Sequence, residues 1–570
     1  MSTLRTDTLQ SLDGTVSKNV KLLLEETSQN FLLFDTVADM KESSELYVGM
    51  KAKTLGYNTV NDGGGAFYDI VPKGTGVVDG GSVISLPVSN LQALAAFSSV
   101  VSVKQFGVAE NITDNSDKLQ RAIDYSDALY VPKGEYVVNK QILLKSDFTL
   151  YGEGTIKASP SPLFIDGTNI YHYALLHGTD LFNVEITGIT IDTSDVLAVP
   201  DNAFSMRALL FLRCDNIDIY KCKFNVNGGA TAILGCNNYR VSENNVNVNL
   251  MTGETDGVLD NWSEGGTLFS ATLSNNYIEG NNVARWGILF NGVEFKQNTW
   301  TIENILVSEN VIENCSLDGI WLGGREPTIN GFSVTNNKIF NSLKGISLSS
   351  CLNGTVQGNV IKDCVSTGIL LWKEGEHPGS IGCRYTTISD NIIKKEVGTT
   401  AGAAIEIAGD TSLNNIQNNI VWGPGYEFGY LVGVGPVRNI ISPKITDGVV
   451  SRIFSDGTQN IITSNQYAPT ITPLDNFNTA NLISSDYQVD GLVVTVYFIV
   501  AASAGVAGNL SRFSISIPVS FKVGLIAGSA STAAFTATIE DSGETADVVC
   551  FPTTTDSFNY SGSFSYRISI

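Results

Sequence analysis

Through the middle of the chain apolar residues recur in short alternating runs rather than at helical spacing, and each run is closed by an asparagine. The unit reads apolar-x-x-Asn-x-apolar, followed several residues later by Gly-apolar-x-apolar. Its asparagines are Asn244, Asn276, Asn310, Asn337, Asn359, Asn391 and Asn419, so successive registers differ by 32, 34, 27, 22, 32 and 28 residues. Weaker members at Ile186 to Ile191, Ile219 to Phe224 and Ile462 to Tyr467 extend the array in both directions. A period that wanders while its strand cores stay aligned predicts a β-solenoid with loops inserted between rungs. Asparagine suits the bend because identical amides can stack and hydrogen-bond from rung to rung, and because Asn tolerates left-handed backbone. These asparagines read as structural. Cys315, Ser342 and Cys364, each five residues past its Asn, read as a small-residue stack inside the coil.

On either side of the array the pattern changes. Residues 13–29 carry Val16, Val20, Leu22, Leu23 and Leu24 among polar residues, which predicts a short amphipathic helix, either an attachment peptide or a helix packed on its own oligomer. Residues 33–103 read as a small α/β or β unit. Its Asp62-Gly63-Gly64-Gly65 is a tight turn rather than a phosphate cradle, since no Gly-Lys-Ser/Thr follows. From Ala468 to Ile570 alternating runs such as Leu492 to Phe498 and Phe513 to Ile517 lie between Gly/Ser/Ala turns and predict an antiparallel β-sandwich. The expected division is 1–32, 33–103, 104–467 and 468–570.

Composition narrows the function. The 55 glycines against 15 prolines fit many short strands joined by turns and place the chain in the all-β class. A net charge of −22 opposes binding to nucleic acid or anionic membrane. A polyanionic glycan stays open, because Arg and Lys in a groove act at contact distance. No apolar run reaches the ~18 residues needed to span a bilayer, and Met1-Ser2-Thr3-Leu4-Arg5 lacks a signal-peptide pattern, so synthesis in a cytoplasm and no membrane insertion are expected. The eight cysteines form no Cys-x-x-Cys pair and read as free, buried thiols. His172, His177 and His377 share no rung, so no metal or other cofactor is expected.

The run Lys104-Gln-Phe-Gly107, then Thr113-Asp114-Asn115, Leu119 to Ile123 and Tyr130-Val131-Pro132-Lys133-Gly134-Glu135-Tyr136 resembles the entrance of pectate-lyase-like β-helices in phage tailspikes, where a capping helix precedes the first rung. Upstream, Gly56-Tyr57, Asp62 to Gly65 and Tyr68 resemble the N-terminal module of many phage depolymerases, which usually have Gly where this chain has Asn61. The resemblance spans about Leu33 to Asn465. It implies a right-handed parallel β-helix, a homotrimer, attachment through the N-terminus to a phage tail or baseplate protein, location in the virion tail, and endo-acting glycosidase or lyase activity on a bacterial surface polysaccharide. The C-terminal sandwich would then serve trimerisation or glycan binding. Fold alone does not fix the chemistry.

Strand alternation suggests where a groove lies. In Gly-Ile-x-Leu the Ile and Leu enter the coil and the x residue is expected to be exposed. Aligning rungs on their glycines gives one outward column of Asp256, Trp286, Asp318, Lys344 and Thr367. A second holds Leu259, Leu289, Trp321, Ser347, Leu370 and Glu406, and a third Asn261, Asn291, Gly323, Ser349 and Trp372. Trp286, Trp321 and Trp372 share this face with Arg285 and Arg325, the chemistry that stacks on sugar rings and bonds their hydroxyls. The alternative is burial of these indoles between subunits.

Hydrolysis of a glycoside needs two carboxyl groups, ~6.5–9.5 Å apart in an inverting enzyme. At ~4.8 Å per rung, Asp256 and Asp318 would be two rungs apart and form the preferred pair. Asp260, Glu264, Glu294, Glu326 and Glu374 are competing loop carboxylates. A β-eliminating lyase would instead draw on Lys344, Arg325 or Lys373, and a non-catalytic adhesin or structural fibre remains a third class.

Overall fold

The computed structural model describes residues 31–97, 100–163, 172–196, 205–250, 257–263, 267–292, 301–324, 329–373, 381–396, 402–433 and 435–447, with the strands of the first 30 residues and of residues 451–567. The chain divides into two compact units, 1–210 with 216–227, and 211–215 with 228–570.

In the first unit, Thr8–Gln10 and Ser17–Asn19 pair antiparallel. This corrects the helix expected over 13–29 at residues 17–19, and the rest of that segment lies outside the described residues. Asp13-Gly14, a pair favoured where strands reverse, competes with helical spacing there. The following module is a five-stranded sheet with the helix Val37–Glu42 against it. Val37, Met40, Tyr68, Ile70, Ile84 and Leu86 form its core. The Asp62 carboxylate accepts backbone N–H groups of Tyr57, Asn58, Thr59 and Gly64 at 2.7–3.0 Å, so the glycine-rich segment is a self-satisfied turn. These bonds hold its pKa down against the opposing effect of burial. The helix Ser116–Tyr125 buries Leu119, Ala122 and Ile123 on one stripe. Parallel strands then begin, with Ala128–Val131 paired to Phe148–Gly152 and Glu135–Lys140 to Thr155–Leu163.

The second unit is a solenoid with three strands in most of its turns. One column runs in parallel register from Gly229–Leu234 through Gly257–Trp262, Trp286–Gly292, Asp318–Gly324, Lys344–Ser349, Thr367–Trp372 and Ala403–Ile407 to Phe428–Val432 and Ser451–Ser455. A second starts at Asn237–Ser242 and a third at Asn245–Leu250. Beyond residue 471 the strands pair antiparallel, with Val493–Ala504 between Phe477–Asp490 and Ser557–Arg567.

The asparagine ladder is continuous from Asn244 to Asn419. Each Nδ2 donates to the next Oδ1 at 2.8–3.0 Å. Each backbone N–H donates to that same oxygen. The left-handed residue is the one before each ladder Asn, at Glu243, Asn275, Glu309, Asn336, Gly358, Asp390 and Asn418. The ladder residue's task is thus bonding rather than accommodation of positive φ. A second ladder, Thr386, Asn414 and Asn439, was not foreseen because it lacks the flanking motif. The seven described cysteines are free and buried, Cys315 and Cys364 among them.

The repeat glycines have a clear reason. A Cβ on Gly345 would lie 2.4 Å from the Gly368 carbonyl oxygen and 2.6 Å from Ile361 Cγ2, and Gly287, Gly319 and Gly368 are similarly enclosed. Gly345→Ala is expected to cost about 1–3 kcal/mol through overpacking, read as a lower denaturant midpoint with an unchanged slope. The cost should vanish only if neighbouring backbones can separate.

Gly257 is a different glycine. It pairs with Trp286, and a Cβ there would meet Leu289 Cβ at 2.6 Å on the outward side. The inward place held by glycine in later rungs belongs here to Val258. Alignment on glycine therefore shifted this rung by one. The column position assigned to Asp256 is occupied by Gly257, and Asp256 itself lies outside the described residues.

Candidate functional site

With the register corrected, one outward column reads Asp260, Leu289, Trp321, Ser347, Leu370 and Glu406. Leu259 moves inward beside Ile288. The x positions face outward yet are not exposed, since Leu289, Ser347 and Leu370 are buried and Trp321 retains 9% of its accessible surface. Side chains on strands ~4.8 Å apart pack on one another, so facing out does not guarantee contact with water.

Asp318 anchors the site. Trp286 Nε1 donates to its Oδ2 at 2.9 Å, Ser347 Oγ donates to its Oδ1 at 2.8 Å, and Lys344 Nζ stands 4.0 Å away. Only 8% of the Asp318 side chain is exposed. Burial raises its pKa, opposed by Lys344, Ser347 and Trp286. The Trp286 and Trp321 ring centroids are 6.2 Å apart, Arg285 sits 5.0 Å over the Trp286 ring, and Lys344 Nζ lies 5.8 Å from the Trp372 ring. Trp286 and Trp372 are half-buried.

The other candidates separate. Asp260 is corrected from loop to strand and is fully buried, accepting the Trp262 indole N–H at 2.5 Å. Covered in this way, it has no surface to offer a sugar. Lys373 pairs with Asp410 at 3.2 Å. Glu264, Glu294, Arg325, Glu326 and Glu374 lie outside the described residues, as does His377.

Trp262 was passed over, and Glu406, already placed in the second outward column, was not weighed as a catalytic carboxyl. Trp262 belongs to the column of Trp372, through Asn291, Gly323 and Ser349, and the correct register would have found it. Glu406 reaches back one rung to accept from Thr367 Oγ1 at 3.2 Å. Thr367 stands two rungs from Asp318 in the same column, ~9.6 Å by strand spacing. Among the described residues no three His, Cys, Asp or Glu side chains converge as metal ligands.

Trp286→Phe keeps an aromatic ring but removes a donor that favours the charged Asp318. The Asp318 pKa is expected to rise further, visible by carboxyl-detected NMR titration. An unmoved or lowered value would show that the indole bond does not act on this group.

The family model described as rhamnogalacturonase A/epimerase, pectate lyase-like, matches residues 100–321, and that of the right-handed β-helix region matches 262–466. The solenoid is a right-handed parallel β-helix. No curated protein matches the chain. Among solved structures, this β-helix protein is similar to the tailspike of E. coli bacteriophage HK620 in complex with a pentasaccharide, at 14% identity and TM-score 0.48 over 82% of this chain and 94% of that one. It is also similar to the Dettilon tailspike protein, at 12% identity and TM-score 0.43 over 82% and 94%. The A-module of a mannuronan C-5 epimerase from Azotobacter vinelandii matches at 14% identity and TM-score 0.45, over 65% of this chain and all of that one.

Proposed function

We propose that this chain is a phage tailspike that binds and endo-hydrolyses a bacterial surface polysaccharide, working as a homotrimer at the virion tail with its N-terminus toward the tail or baseplate. The observation that carries the reading is Asp318, a carboxyl whose pKa burial raises, gripped by Trp286 and Ser347 and flanked by aromatic and cationic side chains. A general acid must hold its proton near the working pH, and burial supports that. The Trp286, Trp321 and Trp372 indoles offer faces for sugar rings. In this reading Asp318 protonates the leaving oxygen. The base that activates water is Glu406 or one of the carboxylates Asp256, Glu294 and Glu326.

Lys344, beside Asp318, supports a second reading in which a base removes the proton α to a uronate carboxyl and the bond breaks by β-elimination. Incubation with purified surface glycans from a host panel separates the two. Fragments heavier by one water are expected. Fragments of unchanged total mass that absorb at the unsaturated-uronate band would replace the hydrolase with the lyase. Binding without fragments on a susceptible host would leave a glycan-binding adhesin.

The expected alkaline limb follows from the sign of the shift. Asp318 acts when protonated, so cleavage should fall as pH rises through its raised pKa, later than for an ordinary carboxyl. Activity that instead rises through that range would remove Asp318 as the acid.

A further inference from the structure

The Asp318 site occupies the first strand column of the solenoid, and the second and third columns present two further faces. In the second column the outward residues form two rows in parallel register. One runs from Thr272 through Leu306 and Thr355 to Ile440, the other from Ser274 through Gln357 to Ser442. Every residue in these two rows is uncharged, whereas a solvated surface carries charge at roughly a quarter of its positions. Phe269, Leu306 and Ile440 on this face are 39%, 36% and 45% exposed. In the third column one row runs from Tyr277 through Val311, Lys338, Val360 and Ile392 to Ile420, apolar or aromatic everywhere but at Lys338. Tyr277 and Ile392 are 37% and 43% exposed. Charge stands beside this row, at Glu313, Lys362 and Lys394. An uncharged centre with a charged margin is the composition of a protein–protein contact.

We propose that these two faces join copies of this chain, the second-column face of one copy meeting the third-column face of the next. This rests on the homotrimer of the proposed function and names the surfaces that build it. The faces adjoin along the asparagine ladder, since Asn244 stands between the strands Asn237–Ser242 and Asn245–Leu250 and its successors stand likewise. A molecule with unlike, matching patches on adjoining sides closes into a ring when its copies associate. Spacing selects a second copy as the occupant, because both faces repeat at ~4.8 Å per rung and another solenoid repeats at the same interval. From Leu268–Ser274 to Ile440–Asp447 the second-column face measures about 30 Å by 20 Å at strand spacing, or about 600 Å². Two such faces bury about 1,200 Å² in each contact, enough for a specific interface. A net charge of −22 holds copies apart, so association falls where charge is absent. The first column, with Asp318, belongs to neither face and stays open to a glycan.

The test measures the mass of the full chain in solution by analytical ultracentrifugation. The parent should be trimeric, and Leu306→Glu and Ile392→Glu should each be monomeric. A trimeric parent with both variants still trimeric would overturn the assignment and leave the homotrimer standing, whereas a monomeric parent would remove both. Loss of assembly in one variant only would overturn the pairing of unlike faces. Because a glutamate can also block folding, thiol labelling of the assembled protein gives a second measure. Leu306→Cys and Ile392→Cys are compared with Val365→Cys, which is 55% exposed on the turn leading into the first column. Maleimide should label the first two at least about tenfold more slowly than the third, since reaction needs an accessible thiol. Equal rates in trimeric protein would show both faces uncovered and overturn the proposal.

Discussion

Asp318→Asn is expected to lower glycan cleavage by about 10²–10⁴-fold, the usual contribution of a positioned general acid, with the fold retained. Asparagine nearly matches the volume and can still accept the Trp286 or Ser347 donor, but it cannot give up a proton. Its effect on stability has a definite sign. Burial raises the Asp318 pKa above its unfolded value, so the folded state favours the protonated form. That contribution is fully present below the unfolded pKa and is lost as pH rises through the folded pKa. A neutral amide escapes the desolvation of an ionised carboxylate, so at neutral pH the variant should be at least as stable as the parent. Fragment release under single-turnover conditions, beside denaturant unfolding, checks both halves. An active variant would move the acid to another carboxylate, and an inactive but unfolded one would make Asp318 a structural residue.

Asn337→Ala should have the largest effect on stability, about 3–4 kcal/mol. Asn337 Oδ1 accepts both the backbone N–H and the Nδ2 of Asn310, and its own Nδ2 donates to Asn359 Oδ1 and to the Val307 carbonyl. Alanine leaves these groups buried without partners in the middle of the coil. Because each rung touches chiefly its neighbours, the damage should concentrate in adjacent rungs. Hydrogen exchange at Asn310 and Asn359 should therefore accelerate before exchange in distant rungs. The exposed amide of Asn216, which donates to Asn183 at 2.6 Å, provides the contrast. Asn216→Ala should cost only about 1 kcal/mol, mostly from its left-handed backbone. Equal costs at the two positions would remove burial as the source of the ladder's importance.

The solenoid was legible because its repeat is enforced by local needs that leave marks in sequence. A buried amide must meet another amide one rung away, and an inward glycine must admit a neighbouring carbonyl. The same marks misled at Gly257, where outward crowding against Leu289 calls for glycine and imitates the inward requirement. That shift alone placed Asp256 in the Trp286 column and hid Trp262 from the column of Trp372. The strand pair at Thr8–Gln10 and Ser17–Asn19 was missed because a short apolar run carries little periodicity to oppose a helix reading.

The sequence by itself determined the stacked strands, the ladder, the small-residue interior, and a face where tryptophans gather beside Asp318 and Lys344. These follow from interactions repeated along one axis, and repetition survives insertions between rungs. Tertiary structure decided which outward residues are covered. It buried Asp260 completely and most of Asp318, bonded by Trp286 and neighboured by Lys344, while leaving the Trp372 N–H without a partner. Such differences depend on how side chains from separate rungs lean on one another. Alternation along a strand fixes the direction of each side chain, but solvent access, and with it pKa and chemistry, depends on what stands above it.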